Sequence, residues 1–210
     1  MHLRWLGLGL TTLSRKKTLV FETANQGENQ TDSTENDLRT RKRILTWKNT
    51  KNFGTWNLRT INRSGAVEEL EKEMINYRMQ VCALQEIRWT GVGSKDLKEG
   101  RILYSGRKDG KHREGTGFYV RKALINDIIE FEAISSRIAR LRLRSQWLNV
   151  TIISVHAPTD VSLDQQKDEW YGLLEQVLDK IPGHDLLIVA GLECKSWPGC
   201  WKLQRRGRNT

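Results

Sequence analysis

Four short motifs hold the residues whose chemistry stands out: Thr55–Asn57 (TWN), Leu84–Trp89 (LQEIRW), His156–Thr159 (HAPT) and Ile188–Gly191 (IVAG). Each lies where an apolar, strand-like run gives way to a polar residue or a glycine. A buried sheet holds rigidly whatever side chain closes its strands, so such positions often build sites. The groups on offer are an amide at Asn57, a carboxylate at Glu86 and an imidazole at His156. Groups of these kinds contact phosphate, hold cations and move protons. Singly, each has an ordinary reading: Asn57 as a turn former, Glu86 as a surface carboxylate, His156 as a histidine that caps a strand. Their order, spacing and strand context make the case for a single site.

The elements that must position them follow from periodicity. Phe53 to Leu58 is a short strand candidate. Val67, Leu70, Met74 and Ile75 then repeat at helical spacing between Ser64 and Tyr77, with Glu68 and Glu69 in the first turns, where they suit the helix dipole. Gln80 to Ile87 is a compact apolar run, read as a buried strand. Strand, helix, strand favours a mixed α/β domain. Arg101–Ser105, Gly115–Val120, Ile138–Arg144 and Leu148–His156 read as further strands. In the third of these, Ala139, Leu141 and Leu143 alternate with Arg140, Arg142 and Arg144, so one face is buried. The three arginines read as a wet sheet face, with phosphate contact the weaker alternative. A second helix starts at a capping box of Ser162 and Gln165, buries Trp170, Leu173, Leu174, Val177 and Leu178, and ends before Pro182 and Gly183. Asp185 to Ala190 is the next buried strand.

Composition sets the outer bounds. The 210 residues have room for one ordinary domain. A hydrophobic share of 38% and a mean hydropathy of −0.59 are lean, so part of the chain is expected to stay unpacked. That part is residues 1–50, a disordered or loosely ordered extension, with polar Ala24–Asn36 at its centre and a basic cluster at Arg39, Arg41, Lys42 and Arg43. The cluster reads as a solvated charge run rather than an import or phosphate patch. The partial domain spans 51–191, and 192–210 is a divergent basic tail. A net charge of +10 and a pI of 9.7 suit a polyanionic partner, nucleic acid being the commonest. Cys82, Cys194 and Cys200 are odd in number and include no CxxC pair, which argues against a disulfide framework and a zinc site. No apolar run reaches the roughly 18 residues of a membrane helix. The apolar stretch near the start is short for a signal peptide. A nuclear or cytoplasmic location is therefore expected, with a mitochondrial presequence the weaker reading.

Taken together, the motifs resemble the endonuclease/exonuclease/phosphatase superfamily, and within it the retrotransposon-type endonucleases, among them the craniofacial development protein 2-like proteins. That family runs TWNVRTL, ALQEIRW, a GTGF strand, a histidine- or tyrosine-Ala-Pro motif, a K-D-x-[FW]-Y helix and a strand ending GDFNAK. This chain has TWNLRT (Thr55–Thr60), ALQEIRW (Ala83–Trp89), GTGFYV (Gly115–Val120), SVHAPT (Ser154–Thr159), KDEWY (Lys167–Tyr171) and IVAG (Ile188–Gly191). The resemblance implies an α+β, four-layer α/β/β/α sandwich with an incomplete second half, and a site at one rim. It implies that Glu86 matches the family's metal-binding glutamate, for Mg²⁺ or Mn²⁺. Asn57 matches the asparagine beside metal or phosphate. His156 stands where many relatives have tyrosine, in reach of a phosphate oxygen or the attacking water. Arg59 and Arg88, two residues beyond Asn57 and Glu86, are expected to reach nucleic acid. The implied reaction is hydrolysis of a DNA phosphodiester, without a small-molecule cofactor or a membrane.

The chain also departs from the pattern. In place of GDFNAK it has Gly191–Lys195, GLECK, with Leu192 where the aspartate is expected. Glu193 is shifted by one place, and no asparagine follows unless Cys194 takes its position. A further aspartate and a late Ser-Asp-His segment do not occur before Thr210, so the chain reads as C-terminally truncated. Proton transfer by one positioned group is worth roughly 10²–10⁴ in rate. The expectation is an impaired nuclease with an open sheet edge. The alternatives are an inactive nucleic-acid-binding pseudo-nuclease or a relic without function.

Overall fold

Two runs of strands with opposed burial demands organise the chain. In the computed structural model the described residues are 52–159 and 161–191, together with the backbone of Gly9–Leu10 and Thr18–Phe21. In chain order the strands are β1 (Gly9–Leu10), β2 (Thr18–Phe21), β3 (Asn52–Asn57), β4 (Met79–Gln85), β5 (Val92–Asp96), β6 (Gly100–Ser105), β7 (Thr116–Arg121), β8 (Ile128–Ser135), β9 (Ile138–Leu143), β10 (Val150–Val155) and β11 (Leu186–Ala190). Helix α1 spans Ala66–Asn76 and α2 spans Asp164–Asp179. A 3-10 helix, Lys122–Asp127, links β7 to β8.

The strands form two sheets, ordered β3-β4-β7-β6-β5 and β1-β2-β11-β10-β9-β8. Between them lies a core that includes Val81, Ala83, Phe118, Leu141, Ile152 and Ile188. Cys82 and Leu84, the alternate residues of β4, face the other way and pack with Leu70 and Met74 of α1. Ile153 and Val155 of β10 likewise pack with Trp170 and Leu174 of α2. Helix, sheet, sheet and helix make the four expected layers. Burial on both faces is why β4, β10 and β11 read as unbroken apolar runs. Cys82 is fully buried, and burial pushes its thiol pKa far up, as a core thiol requires.

Several local expectations need correction. Of the three arginines expected on a wet sheet face, Arg140 and Arg142 are instead partly covered and ion-paired, while Arg144 is exposed. Arg140 pairs with Glu130 and Glu132, and Arg142 makes two bonds to the buried Asp185. The capping box does not form: Leu163 is the N-cap of α2, Ser162 meets the Thr159 hydroxyl, and Gln165 donates to Glu169. Two strands, β5 and β8, are additional to those expected. Both sit at sheet edges; β5 is largely solvated and shows no apolar alternation, whereas β8 alternates Ile129, Phe131 and Ala133 with Glu130 and Glu132 and packs Ile128 and Phe131 on the core. Within the segment expected to be loose, Thr18–Phe21 instead pairs in parallel with β11, so β11 is not an edge strand. Apart from Gly9–Leu10 and Thr18–Phe21, residues 1–51 lie outside the described residues, as do Leu192, Glu193, Cys194 and the basic tail. Among the described residues, no helix is long and apolar enough to cross a membrane.

Candidate active site

Parallel pairing brings the motif ends together. β3 runs parallel to β4 with Asn57 opposite Gln85, and β10 runs parallel to β11 with Ser154 opposite Ala190. Each pair therefore ends at one rim. Buried side chains tie the two sheets there: Gln85 Nε2 donates to Ser154 Oγ at 3.1 Å, and Ser154 Oγ donates to the Leu84 carbonyl at 3.1 Å. Gly191 closes β11 at φ 96°, and a Cβ there would fall 2.3 Å from the Val155 carbonyl oxygen and 2.5 Å from Gln85 Nε2. Only glycine fits that turn.

On this rim four of the expected site residues meet, Asn57, His156 and Arg88 around the carboxylate of Glu86. Asn57 Nδ2 donates to Glu86 Oε1 at 2.9 Å, and His156 Nε2 lies 3.7 Å from the same oxygen. Arg88 Nη2 donates to the other oxygen, Oε2, at 2.8 Å. Asn57 is itself oriented, its Oδ1 accepting the Arg59 backbone N–H at 3.1 Å. Of the two arginines expected here, Arg88 is paired with Glu86, whereas Arg59 is exposed and meets this set through its backbone N–H to Asn57.

The backbone here is strained. Six described non-glycine residues have positive φ, and five belong to the loops of this region: Arg59, Thr60, Glu86, Arg88 and Glu114. Left-handed backbone at a non-glycine residue costs on the order of 1–3 kcal/mol and persists where the surroundings over-determine it. Glu86, at φ 52°, is turned out of line with β4, and this turn brings its carboxylate to Asn57.

Partial burial raises the pKa of Glu86, but hydrogen bonds from Asn57 and Arg88 and the charges of His156 and Arg88 outweigh it. The net pKa falls below the ordinary 4.5, so the carboxylate stays ionised at neutral pH. An ionised, rigid carboxylate fits a hard cation that carries its own waters, while Asn57 turns its amide N–H to that carboxylate and its oxygen to the Arg59 backbone. Among the described residues, no cluster of three or more His, Cys, Asp or Glu forms a fuller cage. Glu86 is therefore the only described anchor of the set.

The motifs did not reveal the supports of this rim. Gln85 and Ser154 stand within quoted motifs but are hidden among apolar neighbours. Glu114 and Arg137 lie in turns with no periodic signal, yet their side chains bond each other at 3.0 Å beside the His156 loop.

No family model matches the chain. Over 139 residues, 66% of this chain, it is 30% identical to Craniofacial development protein 2 of Tragulus javanicus, and over the same length 29% identical to that of Bos taurus. The chain spans about a quarter of the length of these relatives, 24% and 23%. Among solved structures, the Xenopus laevis APE2 catalytic domain superposes with a TM-score of 0.50 at 14% identity, covering 73% of this chain and 64% of that one. The endonuclease domain of TRAS1, a telomere-specific non-LTR retrotransposon, gives 0.48 at 19% identity, covering 68% and 58%.

Proposed function

For a chain with the endonuclease/exonuclease/phosphatase fold and a sequence related to Craniofacial development protein 2, we propose the function of a divalent-metal-dependent phosphodiester hydrolase acting on DNA, of the retrotransposon endonuclease type. The observation that carries the reading is the meeting of Asn57, Glu86 and His156 on one rim, from three strand ends on two sheets.

Each residue has a task suited to its geometry. Glu86 holds the cation, Mg²⁺ or Mn²⁺, through its ionised carboxylate. When bound there, such a cation would supply positive charge against the negative charge that develops on the phosphate. Asn57 fixes the direction of the carboxylate and offers its amide to a phosphate oxygen. His156 Nε2 faces the same space, where it donates to a phosphate oxygen or accepts a proton from water. Arg59 and Arg88 steer the strand by charge, and Arg88 exchanges its bond to Glu86 for one to phosphate.

Turnover is proposed to be slow. Leu192 follows Gly191 where the resemblance sets an aspartate, so that position supplies no carboxylate to orient or deprotonate the water. One such group is worth roughly 10²–10⁴ in rate. The second reading is binding without cutting, and the Arg88–Glu86 ion pair favours it, because a fixed guanidinium competes with a metal for the carboxylate.

Supercoiled plasmid incubated with Mg²⁺ or Mn²⁺ separates the two. Slow nicking that disappears in Glu86→Ala supports the nuclease. Nicking that survives Glu86→Ala removes the assignment. Binding that weakens steeply with salt, without nicking, establishes the second reading instead. A nuclear or cytoplasmic location is likewise proposed, and imaging of a tagged chain checks it.

A further inference from the structure

Glu86 and His156 belong to different sheets, so their 3.7 Å approach depends on whatever holds the two rim loops together. On the Glu86 side the loop hangs from residues 114 and 115. Ile87 N–H donates to the Gly115 carbonyl at 3.1 Å and Arg88 N–H to the Glu114 carbonyl at 2.7 Å. On the His156 side the loop hangs from Arg137. His156 N–H donates to the Arg137 carbonyl at 2.9 Å, and Arg137 Nη1 donates to the carbonyls of His156 at 3.3 Å and Ala157 at 3.1 Å.

The two halves join through the Glu114 carboxylate and one backbone bond. Glu114 Oε1 accepts Arg137 Nη2 at 3.0 Å, and Oε2 accepts Ser136 Oγ at 2.6 Å. Gly115 N–H donates to the Ser136 carbonyl at 3.0 Å. Glu114 has φ 61°, so the backbone bends to bring this carboxylate to the turn between β8 and β9.

We infer that Arg137, clamped by Glu114, is a positioning residue that sets the His156 loop against Glu86 across the two sheets. The guanidinium suits the task because its planar fork serves both directions at once. One Nη reaches the carboxylate while the other reaches two carbonyls. A lysine ammonium has one nitrogen at the end of a flexible stem and cannot span both. The buried Gln85–Ser154 contact holds the sheets at a fixed spacing. Arg137 then fixes where the loop beyond β10 lies on that base. The consequence for turnover rests on the nuclease reading, whereas the geometric claim stands apart from it.

The test uses the metal-free full chain and the ring signals of its histidines, four in number. At one fixed pH, Glu86→Gln is expected to displace the His156 ring signals, since the two side chains face each other, and to leave those of His184 in place. In Arg137→Lys, which keeps the charge and most of the stem, that displacement falls to less than half. Glu114→Gln has the same effect from the other side of the clamp. In the nicking assay both variants lower kcat by about 10–100-fold with KM for DNA unchanged, the cost of a misplaced group. An undiminished His156 displacement in both variants overturns the inference, as does the absence of any displacement in the parent chain. A chain that does not nick DNA while the displacement behaves as expected overturns the nuclease reading and leaves the clamp intact.

Discussion

Two carboxylates, each bonded to an arginine, sit at opposite ends of the sheets. Asp185 precedes β11, and its side chain is wholly buried. It accepts two bonds from Arg142, at 2.7 and 3.0 Å, and one from Thr151 at 2.7 Å. Glu86 follows β4 at the other end, and its side chain is 21% exposed. It accepts from Asn57 and Arg88, faces His156, and stands on left-handed backbone. Pairing with an arginine therefore does not by itself reveal a role. Asp185 is enclosed and saturated, and it pins β9 to the start of β11. Glu86 is open on one side, and its backbone strain is spent on direction rather than on packing.

The largest expected effect falls on the enclosed carboxylate. Asp185→Ala strands Arg142 and Thr151, and breaking a buried pair from one side costs about 3–5 kcal/mol. Chemical denaturation should show that loss, while Glu86→Gln should stay within about 1 kcal/mol of the parent because its surroundings admit water. Equal losses in the two variants would erase the distinction between a structural and a functional carboxylate.

Acid sharpens the comparison next. Burial raises the Asp185 pKa, but bonds from Arg142 and Thr151 and nearby positive charge pull it below the ordinary 3.8. Glu86 is likewise held below 4.5. Each group binds fewer protons folded than unfolded. Its contribution is therefore fully present above those ordinary values and is lost as pH falls through the lower folded pKa. Stability measured below about pH 4 should drop less steeply in Asp185→Asn than in the parent. Glu86→Gln should change that slope less.

Why one carboxylate was legible and the other was not is a matter of local pattern. Glu86 closes an apolar run inside ALQEIRW, and the layered fold follows from the doubly buried strands β4, β10 and β11. Asp185 also opens an apolar run, but its partner Arg142 is 43 residues away and lay within a row that read as solvated. Its role depends on sheet order, which periodicity does not give. The same holds for Glu114 and Arg137. Edge strand β5 escaped because a solvated strand needs no apolar face, whereas β8 carries the alternation from Ile129 to Ala133 that marks a strand. The failed capping box has another cause: the chain at Leu163 is extended, which moves the start of α2 one residue beyond the motif's frame.

A smaller effect concerns Arg88. With its guanidinium 2.8 Å from Glu86 Oε2, it competes for the oxygen that a cation needs. Arg88→Ala should tighten Mn²⁺ binding about 1.5–5-fold, the worth of one partly exposed ion pair, and calorimetry should resolve it. Unchanged affinity would mean that Arg88 and the cation do not share the carboxylate.

The most direct measurement is a titration of free Mn²⁺ by electron paramagnetic resonance against the purified chain, its Glu86→Gln variant and, as a control, Glu68→Gln on the exposed face of α1. The account predicts one bound Mn²⁺ in the parent and the control, and none at the same concentrations in Glu86→Gln. Equal binding by all three proteins would contradict it, because the metal would then be held somewhere other than the rim where Asn57, Glu86 and His156 meet.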